Sequence, residues 1–238
     1  MVSFLAGIQN ALAGGGSFLT LPTLMFTGLN ARAANITSTI ALFPGQITTG
    51  LAGKKHVSDL PRVSFKVLFL ISLIGGIIGA FLLIKTPVKV FEYLVPWLVL
   101  FATLVFVWGS YFRKNTESGS YISPIKTIFS QFIIAIYGGY FGGGIGILML
   151  AALTLSGLPV RNAGATKNVL AAVMNASAVA VFLFSKDIAW TQALVASVGA
   201  IIGGQVGAYV LHKVNEKILR AFIIILGFAL AIGLFLKT

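Results

Sequence analysis

The 238 residues include no cysteine, five acidic residues and two histidines. Without cysteine there is no thiol nucleophile, no thiolate metal site and no disulfide, and the redox compartment is left open. Charged residues make up only 9% of the chain, against roughly 25% in an average soluble domain. So few charges cannot cover a soluble globule in which 58% of residues are hydrophobic. The mean hydropathy of +0.99 agrees. A soluble enzyme, a disordered chain and a disulfide scaffold are thereby excluded.

The scarce acidic residues carry a second exclusion. Asp59, Glu92, Glu117, Asp187 and Glu216, like His56 and His212, fall in polar connections or at the edges of apolar segments. No carboxylate is placed mid-membrane to relay protons or bind a cation, which argues against a cation pump or a carboxylate-driven antiporter. No nucleophile–base–acid set or metal-ligand cluster points to an enzyme, and no cofactor is expected.

What the chain does contain is apolar runs. Eight segments approach the roughly 20 residues that a membrane-spanning helix needs: 2–27, 34–52, 64–84, 90–111, 127–156, 163–185, 190–211 and 218–236. No soluble domain fits between them, so the fold class is an all-α polytopic membrane protein in a lipid bilayer. The net charge of +12 comes from basic residues scattered singly between apolar runs. That pattern suits orienting loop charges better than nucleic acid, and it would also draw an anion toward a pore mouth. The opening MVSFLAGIQNALAGGG has no basic leader region and does not read as a cleaved signal peptide.

The two halves of the chain repeat. Gly14-Gly15-Gly16 matches Gly142-Gly143-Gly144 at an offset of 128, and Gly75-Gly76-x-x-Gly79-Ala80 matches Gly203-Gly204-x-x-Gly207-Ala208 at the same offset. Gly28-Leu29-x-x-Arg32-x-Ala34 matches Gly157-Leu158-x-x-Arg161-x-Ala163 at 129, followed by Thr37 and Thr166. Ordered matches of this kind indicate an internal duplication: a first repeat over 1–112, a linker over 113–126 and a second repeat over 127–238.

Loop charges discriminate between two topologies. Eight full crossings divide the basic residues 8 to 9, with no bias. If the first segment of each half is instead a re-entrant hairpin broken at its triple glycine, the halves are inverted and the split becomes 12 to 5. The positive-inside rule favours the inverted arrangement, with the 53–66 and 112–126 loops cytoplasmic.

Three glycines within an apolar segment weaken a helix by about 1 kcal/mol each relative to alanine. They also expose backbone groups that lipid cannot satisfy and that only protein or a water-filled cavity can. Helices restarting at Ser17 and Ile145 would aim positive dipole ends at the break. Two broken helices at matching places in two repeats point to a transporter site. Close packing is the alternative role for the glycines, although runs of three exceed what packing needs. The Gly-Gly-x-x-Gly-Ala pair, by contrast, suits contact between helices.

The segments after each break are polar: Thr37, Ser38, Thr39 and Gln46 in the first, and Thr166, Lys167, Asn168 and Asn175 in the second. Gln46 and Asn175 correspond, and an amide can donate two hydrogen bonds to an oxyanion. Pro44 is expected to kink its helix and free a carbonyl near Gln46. Lys167, whose counterpart is Ser38, either snorkels to the membrane edge or faces the cavity. Arg32 and Arg161 read as interfacial anchors. The candidate substrate-binding set is Gly14, Gly15, Gly16, Ser17, Thr37, Ser38, Gln46, Gly142, Gly143, Gly144, Thr166, Lys167, Asn168 and Asn175. Neutral donors with a positive balance suit a small oxyanion.

The run Gly14-Gly15-Gly16-Ser17-Phe18-Leu19-Thr20-Leu21-Pro22-Thr23-Leu24, with Gly28-Leu29-Asn30-Ala31-Arg32-Ala33-Ala34-Asn35-Ile36-Thr37-Ser38 after it, resembles the TauE/SafE family. Its members are also called toluene sulfonate uptake permeases and sulfite exporters. Tyr140-Phe141-Gly142-Gly143-Gly144-Ile145-Gly146 repeats the signature, although Leu150 stands where the first half has Pro22. The resemblance implies a secondary transporter of sulfite, sulfonates or related organosulfur anions in the cell inner membrane. An anion channel of the same architecture and a non-transporting membrane subunit are the alternatives, and assembly of identical copies is compatible with either.

Overall fold

The computed structural model describes residues 1–12, 14–108, 122–210 and 216–237. Ten α-helices and one 3-10 turn (Lys54–His56) make up the described residues. The first half holds α1 (Val2–Leu12), α2 (Ser17–Phe26), α3 (Ala31–Gly53), α4 (Phe65–Lys85) and α5 (Val88–Val107). The second holds α6 (Pro124–Tyr140), α7 (Ile145–Leu155), α8 (Val160–Phe182), α9 (Trp190–Val210) and α10 (Glu216–Lys237). Among the described residues, α4, α5 and α8 are long and apolar enough to cross a membrane. Much of the 113–126 linker expected from sequence lies outside the described residues.

The two triple glycines divide what the hydropathy shows as single segments. Gly14 and Gly15 (φ 76° and 94°) and Gly142 and Gly144 (φ 79° and 73°) adopt left-handed backbone, which L side chains rarely do, so each segment becomes two helices. The helices restart at Ser17 and Ile145. The paired Gly-Leu steps stop the second helix of each hairpin in the same way. Gly28 and Gly157 take φ 94° and 109°, while the Leu29 and Leu158 amides donate back to the Leu24 and Leu153 carbonyls. That six-to-one bond after a left-handed glycine is a Schellman stop. Asn30 then caps α3, its Oδ1 accepting from the Ala33 amide at 2.9 Å.

Helix directions follow from contacts at the two ends of the bundle. On one end, here the upper face, Arg32 bonds the Thr86 carbonyl (2.7 Å) and Asp187 (2.8 Å). These bonds gather the start of α3, the end of α4 and the α8–α9 connection. On the lower face, Asn162 bonds the His56 carbonyl (3.1 Å) and Ser58 (2.8 Å), gathering the end of α3 and the start of α8. So α3 descends, while α4 and α8 ascend.

The α6–α7 pair has both open ends on the lower face. The Ile122 amide donates to the Leu155 carbonyl (3.2 Å), and the Thr127 and Ser156 hydroxyls bond at 2.9 Å. The α1–α2 pair opens at the upper face. There α1 descends beside α9, with Gly199 and Gly203 against Ser3 and Phe4 and Gly207 against Ile8 and Ala11. Helix α10 ascends against α5, with Phe235 edge-on to Trp97 at 5.0 Å and Gly227 against Thr103. Each half therefore has one hairpin that returns to its own face and three helices that run from one face to the other, and the helix directions are inverted between the halves, the arrangement that the 12 to 5 charge split favours.

The Gly-Gly-x-x-Gly stripes make the halves interlock. The stripe of α4 (Gly75, Gly76, Gly79) receives α6 of the second half at Ala135, Ile136 and Gly139. The stripe of α9 receives α1 of the first half at Phe4 and Ile8. Small residues let these backbones touch, and each hairpin is held by the opposite repeat. One expectation needs correction. Helix α3 runs unbroken from Ala31 to Gly53 through Pro44. A proline lacks the amide that bonds four residues back, so the acceptor left without its helical donor is the Ile40 carbonyl and not one beside Gln46.

Candidate functional site

The two hairpin tips meet α3 and α8 around a central cavity of about 40 Å3. One water requires about 10–15 Å3 of such space, so a small polyatomic ion has room. The first break contributes Gly14, Gly15 and Ser17, and the second contributes Gly142, Ile145 and Gly146 together with Phe141. Helix α3 adds Ser38, Thr39, Leu42, Gln46 and Thr49, helix α8 adds Lys167, Asn168, Ala171 and Asn175, and α1 adds Asn10.

The lining is paired by the duplication. Gly14 with Gly142, Ser17 with Ile145, Ser38 with Lys167, Thr39 with Asn168, Leu42 with Ala171 and Gln46 with Asn175 all face the same space. The cavity therefore lies where the inverted repeats meet. The clearest trace of this is a bond across the pair itself: Asn175 Nδ2 donates to Gln46 Oε1 at 2.5 Å. Thr20 and Ser38 share a hydroxyl bond at 2.5 Å, which fixes α2 against α3 beside the lining. Asn35 Nδ2 donates to the Tyr140 carbonyl (3.1 Å) and satisfies the end of α6 ahead of the second break.

The electrostatics are not symmetric. Among the described residues, Lys167 is the one cation in the lining, and no carboxylate shares it. The residue is 7% exposed, and the described residues provide its ammonium with neither a hydrogen bond nor an ion pair. The ion pair of the described residues, Arg32–Asp187 at 2.7 Å, stands apart on the upper face. Of the two readings of Lys167, the structure takes the cavity-facing one. Around it stand the amides of Asn10, Gln46, Asn168 and Asn175 and the hydroxyls of Ser17, Ser38, Thr39 and Thr49. Of these hydroxyls, Thr39 and Thr49 donate to carbonyls of their own helix, and the Phe18, Leu19 and Ile147 amides donate to the Gly15, Gly16 and Gly144 carbonyls.

Five residues of the sequence-derived set stand outside the lining. Gly16 packs on α1, where a Cβ would lie 2.5 Å from the Ala6 carbonyl oxygen. Gly143 abuts the Phe141 ring, and Gly144 packs on Ala102 of α5. Thr37 and Thr166, both fully buried, clasp connections of the other repeat: Thr37 Oγ1 accepts from the Ala189 amide (3.1 Å) and Thr166 Oγ1 from the Ser58 amide (3.5 Å). Arg32 and Arg161 serve the same clasps, with Arg161 beside His56 at 3.2 Å. Asn10, Thr39, Leu42, Thr49, Phe141, Ile145, Gly146 and Ala171 line the cavity but stand outside the sequence-derived set. Asn10 is an amide four residues ahead of the first glycine run, beside Gln9 in a largely apolar helix, which was the available signal. Its repeat counterpart is Gly138, so the duplication did not mark it.

Comparison with known proteins places these features. The family model "Sulfite exporter TauE/SafE" matches residues 1–234. A "Probable membrane transporter protein" of Haemophilus influenzae is 28% identical over 95% of this chain and 89% of its own length. "Probable membrane transporter protein ORF9" of a Sinorhizobium species is 29% identical over 98% of this chain and 90% of its own. "Probable membrane transporter protein YfcA" of Escherichia coli K12 is 26% identical over 95% and 84%. No solved structure matches.

Proposed function

The chain belongs to the sulfite exporter TauE/SafE family of membrane transporters, and from that membership we propose that it is a secondary transporter of a small sulfur oxyanion or sulfonate. The observation that carries the reading is Lys167, a buried cation for which the described residues supply no counter-ion and which lines a cavity with the neutral amides of Asn10, Gln46, Asn168 and Asn175. An uncompensated buried charge is unfavourable, and an anion in the cavity supplies the missing partner. The donors replace the water that the anion leaves behind.

Movement of the anion rests on the inverted halves. Two repeats related by inversion can exchange conformations, and the exchange opens a central site to one face and then the other. The hairpin tips and the paired α3 and α8 are the parts that such an exchange would move. We assign the lower face, with Lys54, Lys55, Arg62 and Lys66, to the cytoplasm of a bacterial inner membrane, and the repeats to 1–112 and 127–238 around a cytoplasmic linker at 113–126.

The test is uptake of sulfite and of a labelled short-chain sulfonate into proteoliposomes. Saturable uptake that the other anion competes for supports the transporter. Flux that rises without saturation would favour the anion channel. Absence of flux across a broad anion panel would favour a non-transporting subunit.

A further inference from the structure

We infer that the central cavity selects a singly charged oxyanion, rejecting both dianions and zwitterions, and that the unmatched pair Lys167/Ser38 sets this choice. The inference rests on the anion-transport reading of the same site and adds the charge class of the substrate.

The charge inventory carries it. Among the described residues the lining holds one ammonium and no carboxylate. Its remaining polar groups are amides and hydroxyls, which solvate charge but carry none. A singly charged oxyanion leaves the filled cavity neutral. A dianion such as sulfate brings a second negative charge that no described residue of the lining balances. A zwitterion such as taurine brings an ammonium that would need a carboxylate and would meet the Lys167 ammonium instead. Among the described residues the acidic groups are elsewhere: Asp187 is paired with Arg32, and Asp59 holds the Phe65 amide at 2.6 Å.

The duplication makes the point sharper. Ser38 occupies the position that corresponds to Lys167, and both line the cavity. A second lysine at that position would give two cations across the pseudo-twofold relation, a site for a dianion. The sequence places a small hydroxyl there, and Thr20 holds it by a hydrogen bond. The size of the cavity, about 40 Å3, and the apolar Leu42, Ala171 and Phe141 on its wall suit a compact ion with at most a short carbon tail.

Three probes with a tetrahedral sulfur head separate the possibilities: methanesulfonate, sulfate and taurine, titrated by calorimetry against the purified chain in detergent. Methanesulfonate is expected to bind at least tenfold more tightly than sulfate or taurine. Lys167→Met should lose methanesulfonate binding by tenfold or more, and Ser38→Lys should reverse the order so that sulfate binds better than methanesulfonate. Monodisperse elution and a cooperative thermal transition establish that each variant is folded. Parent protein that binds sulfate or taurine as tightly as methanesulfonate overturns the charge selection while leaving anion transport intact. Failure of all three probes to bind the parent removes the anion reading and this inference with it.

Discussion

Gly76 and Gly204 occupy matched positions in the two interlocking stripes, yet their surroundings differ, and that difference makes a controlled experiment. A Cβ at Gly76 would meet the Ser177 hydroxyl, the Met174 carbonyl oxygen at 2.6 Å and Met174 Cγ at 3.1 Å. The carbonyl belongs to the backbone of α8, which bears the cavity-lining Asn175, so it cannot move without shifting the helix. A Cβ at Gly204 would meet only Gly45, at 3.6 Å from its oxygen, an ordinary contact. Replacing helical glycine by alanine gains about 0.5–1 kcal/mol from backbone entropy at either position. Overpacking at Gly76 costs about 1–3 kcal/mol. Gly204→Ala should therefore gain up to about 1 kcal/mol, and Gly76→Ala should lose roughly 1–2 kcal/mol. For a chain of this length the gap of about 1–3 kcal/mol corresponds to about 2–12 °C in melting temperature. Thermal unfolding in one detergent, followed by tryptophan fluorescence, reads it. Equal melting temperatures, or a larger loss at Gly204, would refute the close approach of α4 to α8 on which the geometry rests.

The amide pair is tested by a double-mutant cycle: Gln46→Ala and Asn175→Ala should each weaken methanesulfonate binding about tenfold, since 1.4 kcal/mol is a factor of ten. The double variant should lose less than the sum, because each single change strands the other amide; strictly additive losses would show that the two side chains do not bond. Arg32→Asp should lower thermal stability by about 1–2 kcal/mol, because the guanidinium also holds the Thr86 carbonyl. Asp187→Arg in the same chain should recover part of the loss, and no recovery would mean that the ion pair is incidental. Since the chain has no native cysteine, single cysteines report topology directly. Arg62→Cys should react with an impermeant maleimide only from the cytoplasm and Lys186→Cys only from the opposite side, whereas reaction of both from one side would break the inverted arrangement.

Much of this fold was legible because glycine leaves unambiguous marks. Triple glycines in apolar runs gave the helix starts at Ser17 and Ile145, while the Gly-Leu steps, matched between the halves by sequence, are shown by the structure to be Schellman stops at Gly28 and Gly157. The stripes of α4 and α9 gave close packing. Their partners were not legible, since nothing local says that α6 of one half docks on α4 of the other. The same limit applies to the candidate site. Gln46, Asn175 and Lys167 could be named because polar residues in a span demand a reason, but whether Lys167 turned inward depended on how α8 is rotated against the hairpins. Thr37 and Thr166 were matched, polar and buried, the same signature as a lining residue. Their hydroxyls instead face loops that sequence separation hides. Asn10 escaped because its repeat partner is a glycine.

An anion is expected to sit between Lys167 and the two hairpin tips. Crystals of the protein grown with selenite, which mimics sulfite and carries an anomalous scatterer, test it most directly. An anomalous peak is expected inside the cavity within hydrogen-bonding distance of Lys167 Nζ, and its loss in folded Lys167→Met. A selenium peak elsewhere in the molecule, or an unchanged peak in the variant, would contradict it.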